Sequence, residues 1–366
     1  MELLGSSQNR VEILFAPTWD CSLRCKYCFI QKNHTTKQDP PMSVDMAVKI
    51  MDVLDAGFSD VKQICIHYYG GEAFCNFPVI QAMVRYAREN KAGRFSFIAT
   101  TNGTHLSDEI LETLEMGKFY LVLSIDGPEA IHDQCRRTAN DSPSHATVLR
   151  FLEAVRSRTS CLVCGSSVIR SGWSLRQAVS YLRSLPVHSL KAQVVRIPTG
   201  TPYALTAEER KAYLDDLDLC GQWVIEDLES GQLPKDPRFS SKVLQLLSGE
   251  SRPAFCGAGL TFFGINPSGH VRPCLLVDEP GATLGHVTDD PKQWRNAGMR
   301  WRERPLKEKC HTCPSFKLCG GGCPAILSVC GGDECDVITK NCEIATRIFD
   351  HFKDQPETLL AMAGML

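Results

Sequence analysis

From Val11 to about Ile197 the chain alternates short apolar runs with amphipathic stretches. VEILFAP, VKQICIHYY, RFSFIAT, FYLVLSI, SCLVCGSSVI and SLKAQVVRI are rich in β-branched and aromatic residues and end in turn or polar residues, which is the pattern of strands. Between them, residues 44–58, 79–89, 107–116, 146–156 and 175–185 carry apolar side chains at helical spacing, with Ser43 placed to cap the first. Strands alternating with helices predict a parallel sheet, so the expected class is α/β, a partial (β/α)6 TIM-like barrel over residues 1–230. A long helix is expected at Ala207–Glu229, followed by the Gly/Pro-rich ESGQLPKDPRF, which reads as a linker within 231–253. Residues 254–366 change character. One hairpin is legible there, LTFFGINPSGHVRPC with its turn at Pro267-Ser268-Gly269, and beyond it the sequence is studded with cysteines and poor in periodicity. A region of that kind is expected to take its order from bound metal rather than from a core of its own.

The 366 residues are 43% apolar and 22% charged with a formal net charge of -2, which gives no general attraction to nucleic acid or to an anionic membrane surface. The first ten residues lack a basic start followed by an apolar stretch, and no apolar run approaches the roughly 18 residues of a membrane span. The reading is a cytoplasmic protein with no nucleic-acid or membrane partner. Eighteen cysteines without a secretion signal would not persist as disulfides in a reducing compartment, so metal or cluster ligation is the default.

The first strand runs into TWDCSLRCKYCFI, which sets Cys21, Cys25 and Cys28 on one loop at the C-terminal end of that strand, where barrel active sites lie. The spacing is C-x3-C-x2-C with no fourth ligand nearby. Four thiolates would close a 4Fe-4S cluster, and three leave one iron open to an exogenous chelator. The amino-carboxylate of S-adenosylmethionine can fill that position, and electron transfer into its sulfonium releases a carbon radical. A zinc site needs four closed ligands and usually C-x2-C pairs, which this loop does not offer.

Cys21, Cys25, Tyr27 and Cys28 resemble the C-x3-C-x-aromatic-C signature of the radical S-adenosylmethionine (SAM) superfamily. The resemblance implies that Gly70, Gly71 and Glu72, after the second strand, hold the methionyl amino group. It also places Thr101 and Asn102 after the third strand, Ser124 after the fourth and Arg136 among the cofactor contacts, with the Arg136 guanidinium on the methionyl carboxylate. Asp126, in Asp126-Gly127-Pro128, reads as a turn residue instead.

In the C-terminal region Cys256 and Cys274 are followed by Cys310-x2-Cys313-x5-Cys319-x3-Cys323 and then Cys342. These seven cysteines match the SPASM extension of radical peptide maturases, which carries two auxiliary 4Fe-4S clusters. The family's interleaving implies one cluster on Cys310, Cys313, Cys319 and Cys342 and another on Cys256, Cys274 and Cys323. The second set is one ligand short and is either open or closed by Cys330 or Cys335. Cys65, Cys75, Cys135 and Cys220 read as small apolar fillers, and Cys161 and Cys164, three apart on a strand, should point to opposite faces.

SPASM domains imply a peptide maturase that takes hydrogen from a ribosomally made precursor peptide and oxidises or cross-links it through C–C, cyclophane or thioether bonds. The anaerobic sulfatase-maturing enzymes are similar in length and layout, but they place a catalytic Asp after the hairpin cysteine and here Leu275 follows Cys274. The sequence also admits a small-molecule alcohol dehydrogenase of the same chemistry, or a non-catalytic iron-sulfur carrier. With strand one starting at Val11, no fused leader-binding domain is expected, so leader recognition falls to a separate leader-binding protein or to the barrel itself, and a flavodoxin or ferredoxin is the expected electron donor. The basic stretch from Trp294 to Lys309 reads as a solvated face rather than a leader site. Tyr68, His67 and Asp278 are positional candidates for a general base, and none is assigned.

Overall fold

The computed structural model describes residues 9–30, 39–249, 256–277, 281–303, 306–326 and 334–364. Six parallel strands form in the order of the sequence: β1 (Arg10–Phe15), β2 (Gln63–Tyr68), β3 (Phe95–Thr101), β4 (Tyr120–Ser124), β5 (Leu162–Ile169) and β6 (Ser189–Val194). Each crossover carries helix: α1 (Val44–Gly57), α2 (Phe77–Asn90), α3 (Asp108–Gly117), α4 (Glu129–Cys135), α5 (His145–Arg158) and α6 (Leu175–Ser184). This is the expected partial barrel. Ser43 caps α1 by accepting from the Met46 amide, and Ser107 caps α3 in the same way from Ile110, each satisfying a donor the helix leaves over. The short α4 has no counterpart among the expected helices.

Strand alternation divides the side chains between two environments. Ile64, Ile66 and Tyr68 of β2 are buried in the core under the helices, where Tyr68 stacks on Phe97 and Phe119 at 6.2 and 6.0 Å. Cys65 and His67 therefore turn into the barrel. On β6, Leu190 and Ala192 join the helix-side core while Lys191 and Gln193 are exposed on the inward face.

The cysteine-rich region is joined to the barrel more closely than its sequence suggests. The expected hairpin forms from β7 (Phe262–Ile265) and β8 (His270–Arg272), and β7 pairs in parallel with β1, Ile13 opposite Phe263. With β9 (Gly285–His286) the sheet has, among the described residues, nine strands in the order β6-β5-β4-β3-β2-β1-β7-β8-β9. The stretch read as a linker is packed: the Lys235 carbonyl accepts from the Leu190 amide, Asp236 pairs with Arg238 and Phe239 is fully buried. It leads from α7 (Ala207–Glu229) into α8 (Ser240–Ser248).

Beyond the hairpin lie α9 (Pro291–Arg302), α10 (Phe316–Cys319), α11 (Cys335–Phe352) and α12 (Pro356–Ala363). This part is packed by hydrophobic burial, contrary to expectation: Ile344, Ala345, Ile348 and Phe352 of α11 extend the main hydrophobic cluster with Leu217 and Val224 of α7. Trp294 of α9 is fully buried, packs at a steep angle against Phe58 and Phe263, and donates to the His286 carbonyl at 3.1 Å. Arg295 pairs with Asp60 at 2.7 Å, and Arg302 donates to the carbonyls of Cys256 and Ala258. The described part of the basic stretch thus fastens α9 to the rest of the molecule.

Candidate active site at the barrel rim

Cys21, Cys25 and Cys28 sit on the loop leaving β1, and that loop is fixed from three sides. Arg24 and Lys26 donate their amides to the carbonyls of Arg137 and Cys135, Leu23 bridges to Thr138, and Asp39 accepts from the Trp19 indole and from the Asn266 amide of the hairpin turn. The Asn102 amide reaches Ser22 Oγ at 3.0 Å and Cys21 Sγ at 3.7 Å. Burial pushes the Cys21 thiol up to about 12, with Glu72 and the other two thiols adding to it, and the Cys25 thiol to about 11 against the pull of Arg136. Cys21 and Cys25 thus hold their protons firmly, and either would have to lose its proton to ligate iron.

Gly70 and Gly71 lie against the back of this loop. Gly70 has φ +120°, and a Cβ on Gly71 would stand 2.2 Å from the Asp20 carbonyl oxygen, so neither position tolerates a side chain. That close approach carries Glu72 beneath the loop, 1% exposed, its amide donating to the Asp20 carbonyl at 2.7 Å. Its carboxylate accepts from Asn102 N at 2.7 Å, Thr101 Oγ1 at 2.8 Å and Phe74 N at 3.3 Å. Burial outweighs these three bonds and raises the carboxyl to about 7. Glu72, Thr101 and Asn102 are thereby brought together from two strand ends.

Arg136 and Tyr27 meet on a residue that sequence reasoning set aside. Asp126, fully buried, accepts from Arg136 Nε at 3.0 Å, from the Tyr27 hydroxyl and from Val168 N at 3.2 Å. Its own amide donates to His132 Nδ1, and its carbonyl accepts from Ser167. The guanidinium lies 5.5 Å from the Tyr27 ring centroid, and its Nη1 reaches Cys25 Sγ at 4.0 Å. Asp126 is the organiser of this side of the rim, and the turn signal of Asp-Gly-Pro concealed it. Ser124 ends β4 on the inward face, in register with Ser166.

The C-terminal thiols fall into two neighbourhoods. Burial, then the nearby thiols of Cys323 and Cys256, raises Cys274 to about 12. Burial raises Cys342 to about 11, with Cys319 and Cys313 among its neighbours, and the Cys313 amide donates to the carbonyl of the buried Cys310. Cys335 shares a crevice with Cys323, lined also by Glu334, Gly321 and Gly322, whereas Cys330 lies outside the described residues. Among the described residues no three His, Cys, Asp or Glu side chains converge on one ion-sized position, as the ligands of a tetrahedral zinc site would.

Between the two regions stands Tyr69. Its hydroxyl is raised to about 12 by burial, with Arg196, Cys274, Cys28 and Arg136 grouped around it. It packs with Trp19, Leu14, Ala16, Phe262 and Leu275. Of the positional base candidates, Tyr68 faces the helix-side core because strand alternation turns it away, and its hydroxyl donates to Met83 Sδ. His67 faces the barrel, with Nδ1 3.0 Å from Glu12 Oε1 and Nε2 2.9 Å from Thr100 Oγ1. Asp278 lies outside the described residues. Cys65, Cys135 and Cys220 are buried, but Cys75 is exposed with its sulfur 3.5 Å from His105 Nε2, so it is no apolar filler. Cys161 donates to the Leu114 carbonyl while Cys164 lies by Tyr120 and Ser189, on opposite faces as expected.

Comparison with known proteins agrees with this geometry. Residues 17–185 match the family model of the Radical SAM superfamily. The chain is 23% identical over 331 residues to a cysteine-type anaerobic sulfatase-maturating enzyme of Clostridium novyi, covering 83% of this chain and 85% of that one. Its fold is similar to that of anSMEcpe with bound AdoMet, at TM-score 0.80 and 20% identity over 96% of this chain and 98% of the other. It is also similar to Streptococcus suis SuiB bound to precursor peptide SuiA, at TM-score 0.62 and 16% identity over 87% and 73% of the two chains.

Proposed function

We propose, from the match of residues 17–185 to the Radical SAM superfamily model, that this chain is a radical SAM enzyme of the SPASM peptide-maturase type. It oxidises or cross-links a ribosomally made precursor peptide through C–C, cyclophane or thioether bonds. When bound, a 4Fe-4S cluster on Cys21, Cys25 and Cys28 with S-adenosylmethionine at its open iron supplies a 5'-deoxyadenosyl radical able to take hydrogen from an unactivated C–H bond.

The chain's own residues divide the work around that chemistry. Gly70 and Gly71 bring backbone close to the loop, and Glu72, steadied by Thr101 and Asn102, presents a carboxylate on the amino side of the cofactor. Arg136 serves the carboxylate side, with Asp126 holding the guanidinium in place and Tyr27 lying by it, and Ser124 serves that carboxylate or the ribose. Cys310, Cys313, Cys319 and Cys342 hold one auxiliary cluster, and Cys256, Cys274 and Cys323 hold another, which Cys335, in the crevice with Cys323, or Cys330 completes unless it stays open. The single observation that carries the reading is this pairing of a three-thiol loop at the barrel rim with a second thiol group reached across Tyr69.

The peptide substrate is supported by the relatives: an enzyme that matures sulfatases and one solved with its precursor peptide. A formylglycine-forming sulfatase maturase is the second reading, favoured by similarity over 85% of the Clostridium novyi enzyme's length. Against it, the residue after the hairpin cysteine is Leu275, 2% exposed in an apolar cluster, where that branch needs an acid. A small-molecule alcohol dehydrogenase has no such support, and an iron-sulfur carrier would need no Glu72 or Arg136. A separate leader-binding protein and a flavodoxin or ferredoxin donor complete the proposal. Among the described residues no helix is long and apolar enough to cross a membrane.

The test is to incubate the reconstituted, reduced enzyme with S-adenosylmethionine and the small peptides encoded beside its gene, and to read peptide mass. A loss of about two hydrogens supports cross-linking or oxidation. Conversion of a sulfatase-derived Cys or Ser to formylglycine, with the native peptides unchanged, would shift the assignment to the second reading.

A further inference from the structure

The inward face of the barrel carries an imbalance of charge. Lys191 and Gln193 are exposed on β6, the free edge of the sheet, while their neighbours Leu190 and Ala192 are buried. Because β6 turns those two buried residues to the helices, the exposed pair opens into the barrel. Lys191 is in register with Ser166, and Ser166 with Ser124, which puts it in the row of the rim. Just past β6, Arg196 stands near Tyr69 and Cys274, where the barrel meets the second thiol group.

The acids close to the barrel interior are already committed. Glu12 is bonded to His67 at 3.0 Å, Asp126 to Arg136 at 3.0 Å, and Glu72 to Thr101 and Asn102. Glu334 lies in the crevice with Cys323 and Cys335, and burial raises its carboxyl despite Arg196 and Arg210. Arg196 has only a 3.5 Å bond to the Gln193 side chain, and among the described residues neither Lys191 nor Arg196 makes an ion pair. Lys191 is held below its ordinary pKa by the protein packed round it and by the like charge of Arg196, against the pull of Glu12, whose carboxylate is bonded to His67. Water can solvate both cations while the barrel is open. A substrate that filled the interior would strip that water away, and a buried cation without a counter-charge is strongly unfavourable. With Glu12 shared with His67 and Glu334 in the crevice beside Cys323, neither making an ion pair with these cations among the described residues, the counter-charge has to come from the substrate.

We propose that Lys191 and Arg196 bind a carboxylate of the peptide substrate, the side chain of an Asp or Glu close to the modified residue or the peptide's free C-terminus. This rests on the peptide-maturase reading and adds a sequence requirement to it. The clamp works by charge: opposite charges in a narrow, low-dielectric cleft raise both capture and affinity, and a neutral isostere leaves the cations unpaired.

The experiment exposes the holoenzyme with S-adenosylmethionine, without reductant, to a random library of N-acetylated decapeptides made in free-acid and C-terminal amide forms, and sequences what is bound. Asp or Glu enriched about tenfold at one or two positions in both forms is expected for a side-chain clamp; binding of the free acids alone identifies a C-terminal clamp. K191E and R196E should reverse the preference toward Lys and Arg, a gain that misfolded protein cannot produce. Peptides bound without acidic or C-terminal preference overturn the clamp and leave the maturase reading standing. No peptide bound at all overturns both. A fall in S-adenosylmethionine affinity that matches the loss of acidic peptide would give the cations to the cofactor and refute the clamp.

Discussion

Replacing Asp126 with Asn is the sharpest perturbation of the rim. The carboxylate has no exposure and accepts from three donors: Arg136 Nε at 3.0 Å, Val168 N at 3.2 Å and the Tyr27 hydroxyl. Asn keeps one accepting oxygen and turns an amide N–H toward donors, and the Arg136 cation remains buried without its counter-ion. Breaking a buried pair from one side costs about 3–5 kcal/mol. At roughly 2–4 °C per kcal/mol or less for a chain of this size, melting should fall by about 5–10 °C. Y27F removes one donor and should cost only about 1–2 kcal/mol. The D126L/R136M double variant replaces the pair by apolar groups and should recover most of the loss, so a double-mutant cycle by anaerobic denaturation reads a large coupling. S-adenosylmethionine affinity should fall at least tenfold in D126N because the guanidinium is no longer held. A D126N protein within 1 kcal/mol of wild type, with unchanged affinity, would refute the view that Asp126 organises this side of the site.

Other outcomes follow from the same structure. C319S should lose about four irons and unfold the C-terminal region at lower denaturant, since cluster binding there is also folding energy; iron counting and limited proteolysis check this. Glu72 titrates near 7 in the folded protein against 4.5 unfolded, so the native state binds more protons and stability falls as pH rises through that window. Apo wild type should lose up to about 3 kcal/mol relative to E72Q between about pH 5 and 8, and parallel curves for the two proteins would contradict this. W294A removes a fully buried indole that fastens α9 against Phe58 and Phe263, and should cost about 3–5 kcal/mol in denaturation.

The barrel was legible because strands buried under helices read as short apolar runs, and capping serines mark where α1 and α3 begin. Cysteine spacing in the loop and in the C-terminal set is a local property, so those residues could be singled out as candidates without a fold. What was hidden depends on distance along the chain. The pairing of β7 with β1 joins residues some 250 apart, and no local pattern announces it. Asp126 looked like a turn because Asp-Gly-Pro satisfies turn chemistry by itself, and its partners Tyr27 and Arg136 lie on other segments. The helix α9 did leave a signal: Asp290 as cap, Pro291 at the first position, then Trp294, Ala297, Gly298 and Trp301 at helical spacing. Its charges drew the eye instead, though Arg295 and Arg302 are engaged within the protein.

The central claim is that Cys21, Cys25 and Cys28 hold a cluster that activates S-adenosylmethionine. The most direct measurement is anaerobic reconstitution with iron and sulfide, reduction, and chromatography for 5'-deoxyadenosine, beside iron counting on wild type and C21A/C25A/C28A. Deoxyadenosine from wild type with about twelve irons per chain, and none from the triple variant with about eight, is the predicted result. Deoxyadenosine from the triple variant, or zinc with no cleavage in wild type, would contradict it.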